Sequence, residues 1–189
     1  MVHRKAALFL DRDGVINKNS GYVHKVTDFE FFPEIFEICL AAQNLGLPIV
    51  VITNQSGIGR GYFSEEDYSV LNGWMVREFL ERKIEISLVL HAPENPEGQS
   101  IPSSSTRRKP SPVMFIEAAT NLDLDLATSI MIGDNESDMI AAQRAGLKHR
   151  ILIGKESRNS EATQIVPEHN SCLVAIKNIF LERKEQLTQ

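Results

Sequence analysis

The feature that most constrains the fold is a short apolar run that ends in two carboxylates. Residues 6–10 are all apolar, and Asp11, Arg12, Asp13 and Gly14 follow directly. An apolar run without alternation is typical of a strand buried on both faces, as in parallel sheets covered by helices. Aspartate and glycine are also common turn residues, so this spacing alone leaves a solvated turn open. If the strand lies in an open α/β sheet, its two aspartates stand at the edge where ligands bind.

Strands and helices are predicted to alternate along the rest of the chain. Further apolar runs predict strands, and apolar residues at helical spacing predict the helices between them. The strands are predicted at 48–52, 84–90, 129–132 and 149–153, and the helices at 33–45, from the Ser64 cap through Phe79, and at 112–121, 137–145 and 173–185. Residues 15–32, 92–108 and 154–169 lack this periodicity and are predicted to be irregular. The pattern predicts a three-layer, Rossmann-like α/β fold, with a parallel sheet, helices on both faces and right-handed crossovers.

Length and composition limit the class of protein. A chain of 189 residues is expected to form one domain over 1–189, and the segments between the polar motifs leave no room for a cap domain. The net charge of −5 argues against nucleic-acid binding, and no apolar run is long enough to cross a membrane. Cys39 and Cys172 are too few for a disulfide framework or a thiolate metal site. We therefore expect a reduced, monomeric cytoplasmic protein.

Polar clusters stand at four predicted strand ends or the loops that follow them, and parallel strands bring these ends to one edge. Each cluster suits phosphate chemistry. A carboxylate can attack phosphorus, and a second one two residues later can protonate the leaving oxygen. A hydroxyl and a lysine can stabilise the phosphoryl oxygens, and further acids can supply the hard ligands that Mg²⁺ requires. The clusters contain Asp11 and Asp13, Thr53, Lys109, and Asp134 with Asp138.

Four motifs resemble those of the haloacid dehalogenase-like superfamily and occur in the same order. They are Asp-Arg-Asp-Gly at 11–14, Thr-Asn at 53–54, Lys-Pro at 109–110 and Gly-Asp-Asn-Glu-Ser-Asp at 133–138. By this resemblance, Asp11 is the nucleophile and Asp13 the general acid and base. The resemblance also implies that Thr53 and Lys109 stabilise the phosphoryl group during transfer.

Three segments narrow the resemblance further. Residues 19–23, 53–61 and 108–110 resemble the D-glycero-D-manno-heptose 1,7-bisphosphate phosphatases, and the histidinol-phosphate phosphatases share much of this pattern. The resemblance implies that Mg²⁺ is bound by Asp11, the backbone carbonyl of Asp13 and Asp134. In such enzymes the counterpart of Asp138 more often orients its neighbours than binds metal. The implied substrate contacts are Asn19, Ser20, Gly21, Tyr22, Asn54, Gln55, Ser56, Arg108 and Asn135.

The chain departs from this family in the loop before Arg108. Members usually carry a zinc loop with a cysteine and a histidine after the third strand and Cys-x-Cys before Arg-Lys-Pro. Here Ser105 and Arg107 occupy the two last cysteine positions, and His91 has no cysteine beside it. One histidine without partners is not a zinc site, so we expect no structural zinc. The prolines at 93, 96 and 102 are alternative means of holding the loop.

The leading hypothesis is a Mg²⁺-dependent phosphatase that removes the 7-phosphate of D-glycero-D-manno-heptose 1,7-bisphosphate, a small phosphorylated sugar. The resemblance places this reaction in the synthesis of a lipopolysaccharide precursor. A second reading is a histidinol-phosphate phosphatase or a phosphatase for another small ester. A third, of a different class, is a silent phosphate-binding or regulatory module. The intact set that includes Asp13 argues against the third reading, because a pure binder has little use for a general acid.

Overall fold

Six parallel strands form one sheet in the computed structural model, which describes residues 4–95, 106–154 and 159–186. The strands are β1 (Leu8–Leu10), β2 (Ile49–Asn54), β3 (Ile86–Ala92), β4 (Ile130–Gly133), β5 (His149–Ile153) and β6 (Gln164–Val166). Their order across the sheet is β3-β2-β1-β4-β5-β6. The order reverses next to β1, and in open α/β sheets ligands bind at such a switch point.

The register of the central strands brings the sequence motifs together. Leu10 of β1 lies opposite Val51 of β2 on one side and Ile132 of β4 on the other. The residues that follow these three positions therefore emerge at one edge of the sheet. Asp11 extends the pairing by one step, because its backbone N–H donates to the carbonyl of Ile132 at 3.1 Å.

Helices cover both faces of the sheet. They are α1 (Glu34–Asn44), α2 (Ser56–Gly59), α3 (Glu65–Glu81), α4 (Val113–Leu122), α5 (Glu136–Arg144) and α6 (His169–Gln186). On one face α1, α3 and α6 pack against the side of β1 that carries Leu8 and Leu10. On the other face α4 and α5 pack against the side that carries Ala7 and Phe9. This two-sided burial explains why β1 is apolar at every position.

Local signals set the helix starts near the site. Ser64 caps α3 in a reciprocal capping box with Asp67, which accounts for the predicted start of that helix. Asn135 caps α5 in the same way, with Asp138 as the returning side chain. Because this second box lies directly after β4, it fixes Asp138 against the carboxyl edge of the sheet.

The predicted fold class is confirmed, and no cap domain is evident in the described part of the chain. Two elements were missed. Strand β6 lies inside the segment predicted to be irregular, and α2 is a single turn that contains two glycines. Cys39 and Cys172 are buried free thiols. Among the helices that the structure describes, none combines the length and apolar character that a membrane span requires.

Candidate active site

A cavity of about 300 Å³ opens at the carboxyl edge of the sheet, above β1, β2 and β4. Nearly all of the predicted site residues line it, although they are spread over more than a hundred positions of the sequence. The lining consists of Asp11, Asp13, Asn19, Gly21, Tyr22, Thr53, Asn54, Gln55, Ser56, Gly57, Arg108, Lys109, Asp134, Asn135, Ser137 and Asp138.

A buried lysine links two aspartates at the floor of the cavity. The Nζ atom of Lys109 lies 2.8 Å from Oδ1 of Asp11 and 2.6 Å from Oδ1 of Asp138. It also donates to the carbonyl of Ile52 at 2.9 Å. Lys109 is only 2% exposed and Asp138 only 1%, so neither charge is screened by solvent. The role of Asp138 in orienting its neighbours stays a prediction.

Burial and mutual repulsion shift the pKa values of these groups. Burial, together with the nearby Asp138 and Asp134, raises the pKa of Asp11 to about 8, although Lys109 opposes the shift. Burial and Asp138 likewise raise the pKa of Asp134 to about 6. Burial alone would lower the pKa of Lys109, but Asp11 and Asp138 outweigh it and raise the pKa above its ordinary value. The floor thus carries more negative charge than one lysine compensates.

The acids of the floor fit a magnesium ion. Carboxylate oxygens of Asp11, Asp134 and Asp138 all lie within 4.8 Å of one another, and Mg²⁺ prefers oxygen ligands. Gly14 permits the close approach, since a Cβ atom there would come within 2.0 Å of Oδ2 of Asp134. Burial, and after it the neighbouring acids, raise the pKa values of Asp11 and Asp134, and a divalent cation would offset the cost of ionising them.

Asp13 is held apart from the floor by three donors. Its carboxylate accepts from Nη2 of Arg12 at 2.9 and 2.8 Å, one bond to each oxygen. It also accepts from Nδ2 of Asn17 and Nε2 of Gln55, each at 3.0 Å. Asp13 therefore faces the cavity with a fixed orientation, as a proton-transfer group requires.

Residues at the end of β2 hold the catalytic candidates in place. Gln55 donates to Asp13 and, at 2.8 Å, to the hydroxyl of Thr53, so its contacts are to other site residues. Asn54 clamps the backbone of Lys109, accepting from its N–H at 2.9 Å and donating to its carbonyl at 3.1 Å. The Asn54 clamp joins β2 to a lysine 55 positions away.

The segment between β1 and α1 forms one side of the cavity rim. Tyr22 lies 46% exposed with its ring 4.8 Å from that of Tyr62, and His24 stacks on Phe63. Asn19 and Gly21 line the cavity, but Ser20 does not. Ser20 lies in a turn closed by the N–H of Gly21 on the side chain of Asn19, which leaves it exposed outside the cavity wall. The predicted contact of Ser20 with substrate stays a prediction.

The other side of the rim leads into Arg108. The backbone N–H of Arg107 donates to Glu94 at 2.9 Å, and its guanidinium pairs with Glu117 at 2.9 Å. His91 pairs with Glu65 at 2.9 Å. Positions 96, 102 and 105, which entered the loop predictions, lie outside the described residues. Burial and, after it, the nearby Arg60 lower the pKa of Arg108, and Glu94 opposes the shift.

Three functional candidates were not found from the sequence. Gly57 and Ser137 line the cavity, and Arg12 is buried beneath it. Ser137 belongs to the last motif and lies in the first turn of α5, which begins at the carboxyl edge of the sheet. Its place at the start of a predicted helix was therefore a signal for a cavity residue. Arg12 carried no such signal, because arginine is among the residues least often buried.

Comparison with known proteins identifies the family. A heptose-1,7-bisphosphate 7-phosphatase of Vibrio cholerae, named for the β-anomer, is 44% identical over 152 residues, covering 79% of this chain and 81% of the relative. The chain belongs to the heptose-1,7-bisphosphate 7-phosphatase family. A Burkholderia mallei member named for the α-anomer is 43% identical, covering 85% and 86%. The HAD-hydrolase-like family model matches residues 106–175, so the chain is an enzyme of the phosphatase class.

The fold of the heptose-bisphosphate phosphatases is also seen in a solved structure. The B. bronchiseptica D,D-heptose 1,7-bisphosphate phosphatase, complexed with magnesium and phosphate, has a TM-score of 0.79 at 24% identity. The match covers 92% of this chain and 98% of that protein. This similarity confirms the fold.

Proposed function

We propose that this phosphatase removes the 7-phosphate of D-glycero-D-manno-heptose 1,7-bisphosphate through an aspartyl-phosphate, with Mg²⁺ bound. The observation that carries the proposal is the pair Asp11 and Asp13 at one cavity, with Lys109 on the first and three donors on the second. One carboxylate is thereby placed for attack and the other for proton transfer.

The first half-reaction transfers the phosphoryl group to Asp11. A carboxylate oxygen of Asp11 bonds to phosphorus while the bond from phosphorus to the sugar oxygen breaks. The sugar oxygen takes a proton from Asp13, so the product leaves as a neutral alcohol. In the second half-reaction, water attacks phosphorus, its proton passes to Asp13, and the bond between phosphorus and Asp11 breaks. Asp11 and Asp13 then return to their starting states.

Lys109 and Thr53 stabilise the phosphoryl group during its transfer to Asp11. The ammonium of Lys109 already lies 2.8 Å from Asp11, so it meets the phosphoryl oxygens as they reach that carboxylate. The hydroxyl of Thr53 accepts from Gln55, which leaves its own proton available for a phosphoryl oxygen. Both side chains are buried and fixed before substrate arrives, so little reorganisation is required.

Mg²⁺ would be held by Asp11, Asp134 and the backbone carbonyl of Asp13. Asp138 is not among these ligands, because it forms an ion pair with Lys109. When bound, the ion supplies Lewis-acid charge to the phosphoryl oxygens and offsets the repulsion among the acids. The ligands proposed here are oxygen atoms only, as this ion prefers.

The rim supports a sugar bisphosphate as the substrate. Arg108 lies at the cavity wall near a second arginine, which suits a second anionic group. Tyr22 and Asn19 offer an aromatic face and an amide, which suit a sugar ring and its hydroxyls. Relatives named for either anomer match at similar identity, so the anomer is left to the experiment.

The test is phosphate release with Mg²⁺ from both anomers of the heptose bisphosphate, beside histidinol phosphate and other sugar phosphates. We expect release of one phosphate per bisphosphate, from the 7-position, with the 1-phosphate intact by NMR. Asp11→Asn should lower turnover on the order of 10⁴-fold or more, whereas Asp123→Asn, an exposed aspartate paired with Arg4, should not. Preference for histidinol phosphate would overturn the substrate, and unchanged turnover in Asp11→Asn would overturn the nucleophile.

A further inference from the structure

Arg12 is the largest side chain that is fully buried in the described part of the chain, with 1% of its surface exposed. It lies between Asp11 and Asp13 in the sequence, yet it does not line the cavity. Its Nη2 atom makes every hydrogen bond of the guanidinium that the structure shows. The partners are the two carboxylate oxygens of Asp13, at 2.9 and 2.8 Å, and the carbonyl oxygen of Val23, at 2.7 Å.

The energetics of Arg12 depend on its ion pair with Asp13. Its Nε and Nη1 atoms are buried without a hydrogen-bond partner among the described residues, and the centroid of the Phe29 ring lies 6.0 Å from the guanidinium carbon. Buried donors without partners carry a desolvation cost, which the ion pair of Nη2 with Asp13 at 2.8 Å has to offset. The cation is therefore held mainly by a carboxylate that is itself a catalytic candidate.

The third contact reaches the substrate side of the cavity. Val23 directly follows Tyr22, so the bond to its carbonyl fixes the backbone of the segment that also contributes Asn19 and Gly21 to the cavity wall. Tyr22 itself has φ +48°, a left-handed conformation that non-glycine residues rarely adopt. One nitrogen atom therefore joins the carboxylate of Asp13 to the rim segment 19–23.

We propose that Arg12 is a positioning residue. It fixes the position of the acid Asp13 relative to the substrate-binding rim at 19–23. The proposal rests on the proposed function, because it assigns Asp13 the transfer of a proton to the leaving oxygen. With Arg12 in place, a sugar held by the rim presents its ester oxygen to Asp13 at a fixed distance. Without it, both the acid and the rim lose a shared anchor.

The experiment compares Arg12→Met and Arg12→Lys on two esters, with Mg²⁺ present. The heptose bisphosphate has an alkoxide leaving group that needs a proton, whereas 4-nitrophenyl phosphate has a leaving group that departs without one. The aryl ester also lacks the sugar that the rim holds. Arg150→Met and Arg150→Lys are the controls, since the Arg150 guanidinium donates to the backbone carbonyls of Leu147 and Glu161 and does not line the cavity.

We expect Arg12→Met to lower kcat on the sugar ester about 10- to 100-fold and to raise its KM, as for a misplaced catalytic group. The pre-steady-state burst of nitrophenolate, which reports attack by Asp11 alone, should remain close to wild type in its rate and in its dependence on ester concentration. Arg12→Lys should recover part of the sugar-ester rate. Arg12→Met removes one partner of the ion pair with Asp13 and should lower the melting temperature, so the rates are compared below the melting temperature of the variant. The Arg150 variants should keep both rates.

Two results would overturn the inference while the proposed function stands. One is a burst that falls as much as the sugar-ester rate, which would make Arg12 part of the framework of Asp11. The other is wild-type kinetics on the sugar ester in both Arg12 variants. If Arg12→Met does not fold, Arg12→Lys is judged by the same two criteria. A wild type that hydrolyses no ester would instead overturn the proposed function, and this inference with it.

Discussion

The floor and the rim of the cavity differ in how they are held. On the floor, Lys109 and Asp138 are at most 2% exposed and are fixed by strand ends and a helix cap. On the rim, Tyr22 is 46% exposed and lies in an irregular segment between β1 and α1. Buried groups keep their geometry when sequence drifts nearby, whereas exposed loops tolerate change. We therefore propose that the floor carries the phosphoryl chemistry and that the rim carries the choice of substrate.

After Asp11→Asn, the largest effect is expected from Lys109→Met, also on the floor. Removal of the ammonium leaves Asp11 and Asp138 without their buried counter-charge, which costs about 3–5 kcal/mol of unfolding free energy for a broken buried pair. Turnover should fall about 10³-fold on every ester, because the phosphoryl oxygens lose a donor. Steady-state kinetics and urea unfolding check both expectations.

The control for this variant is Lys148→Met, which removes an exposed lysine outside the cavity. It should change neither rate nor stability. If Lys109→Met lowered turnover on the sugar ester but not on an aryl phosphate, the lysine would belong to substrate choice, and the division between floor and rim would fail.

A smaller and selective effect is expected on the rim, from Arg108→Ala. Loss of a charged hydrogen bond to the second phosphate should lower kcat/KM for the bisphosphate about 10- to 100-fold. The rate on 4-nitrophenyl phosphate should change little, because that ester has no second phosphate. Arg4→Ala, at an exposed ion pair with Asp123, is the matched control. Equal losses on both esters would assign Arg108 to the chemistry instead.

The acids of the floor predict a pH-dependent stability. Burial and like charges raise the pKa of Asp11 to about 8 and of Asp134 to about 6, above the ordinary value near 3.8. The folded state therefore holds protons that the unfolded state has lost. Stability from these two groups is greatest below about pH 4 and declines as pH rises above that value. The decline ends above about pH 6 for Asp134 and above about pH 8 for Asp11.

Thermal melts of metal-free protein should show this decline, and Mg²⁺ should raise the melting temperature more at about pH 8 than at about pH 5. Each kcal/mol corresponds to roughly 2–4 °C for a chain of this size. Asp134→Asn should flatten the pH dependence and weaken the effect of Mg²⁺, whereas Asp123→Asn should alter neither. An effect of Mg²⁺ that is equal at both pH values would contradict the link between the acids and the ion.

Sequence patterns predicted the floor better than the rim, for a physical reason. Apolar runs such as residues 6–10 predict buried strands. Once the strands are known to be parallel, Asp11, Thr53 and Asp134 are expected at one edge of the sheet. Strand β6 has three residues, only one of them buried, so it lacks that signal. The burial of Arg12 depends on the carbonyl of Val23, a contact within an irregular segment that no periodicity predicts.

The smallest effects on activity and stability are expected from the two glutamates that contact Arg107 at the rim, Glu117 and Glu94. Its guanidinium pairs with Glu117, and both side chains are about one-third exposed, so Glu117→Ala should cost less than about 1 kcal/mol and leave kcat/KM nearly unchanged. Glu94 instead accepts the backbone N–H of Arg107, directly before Arg108. Glu94→Ala should therefore lower kcat/KM for the bisphosphate by up to about 5-fold, which corresponds to one hydrogen bond of about 1 kcal/mol. If Glu117→Ala had the larger effect, the rim would be set by its surface charges and not by its backbone.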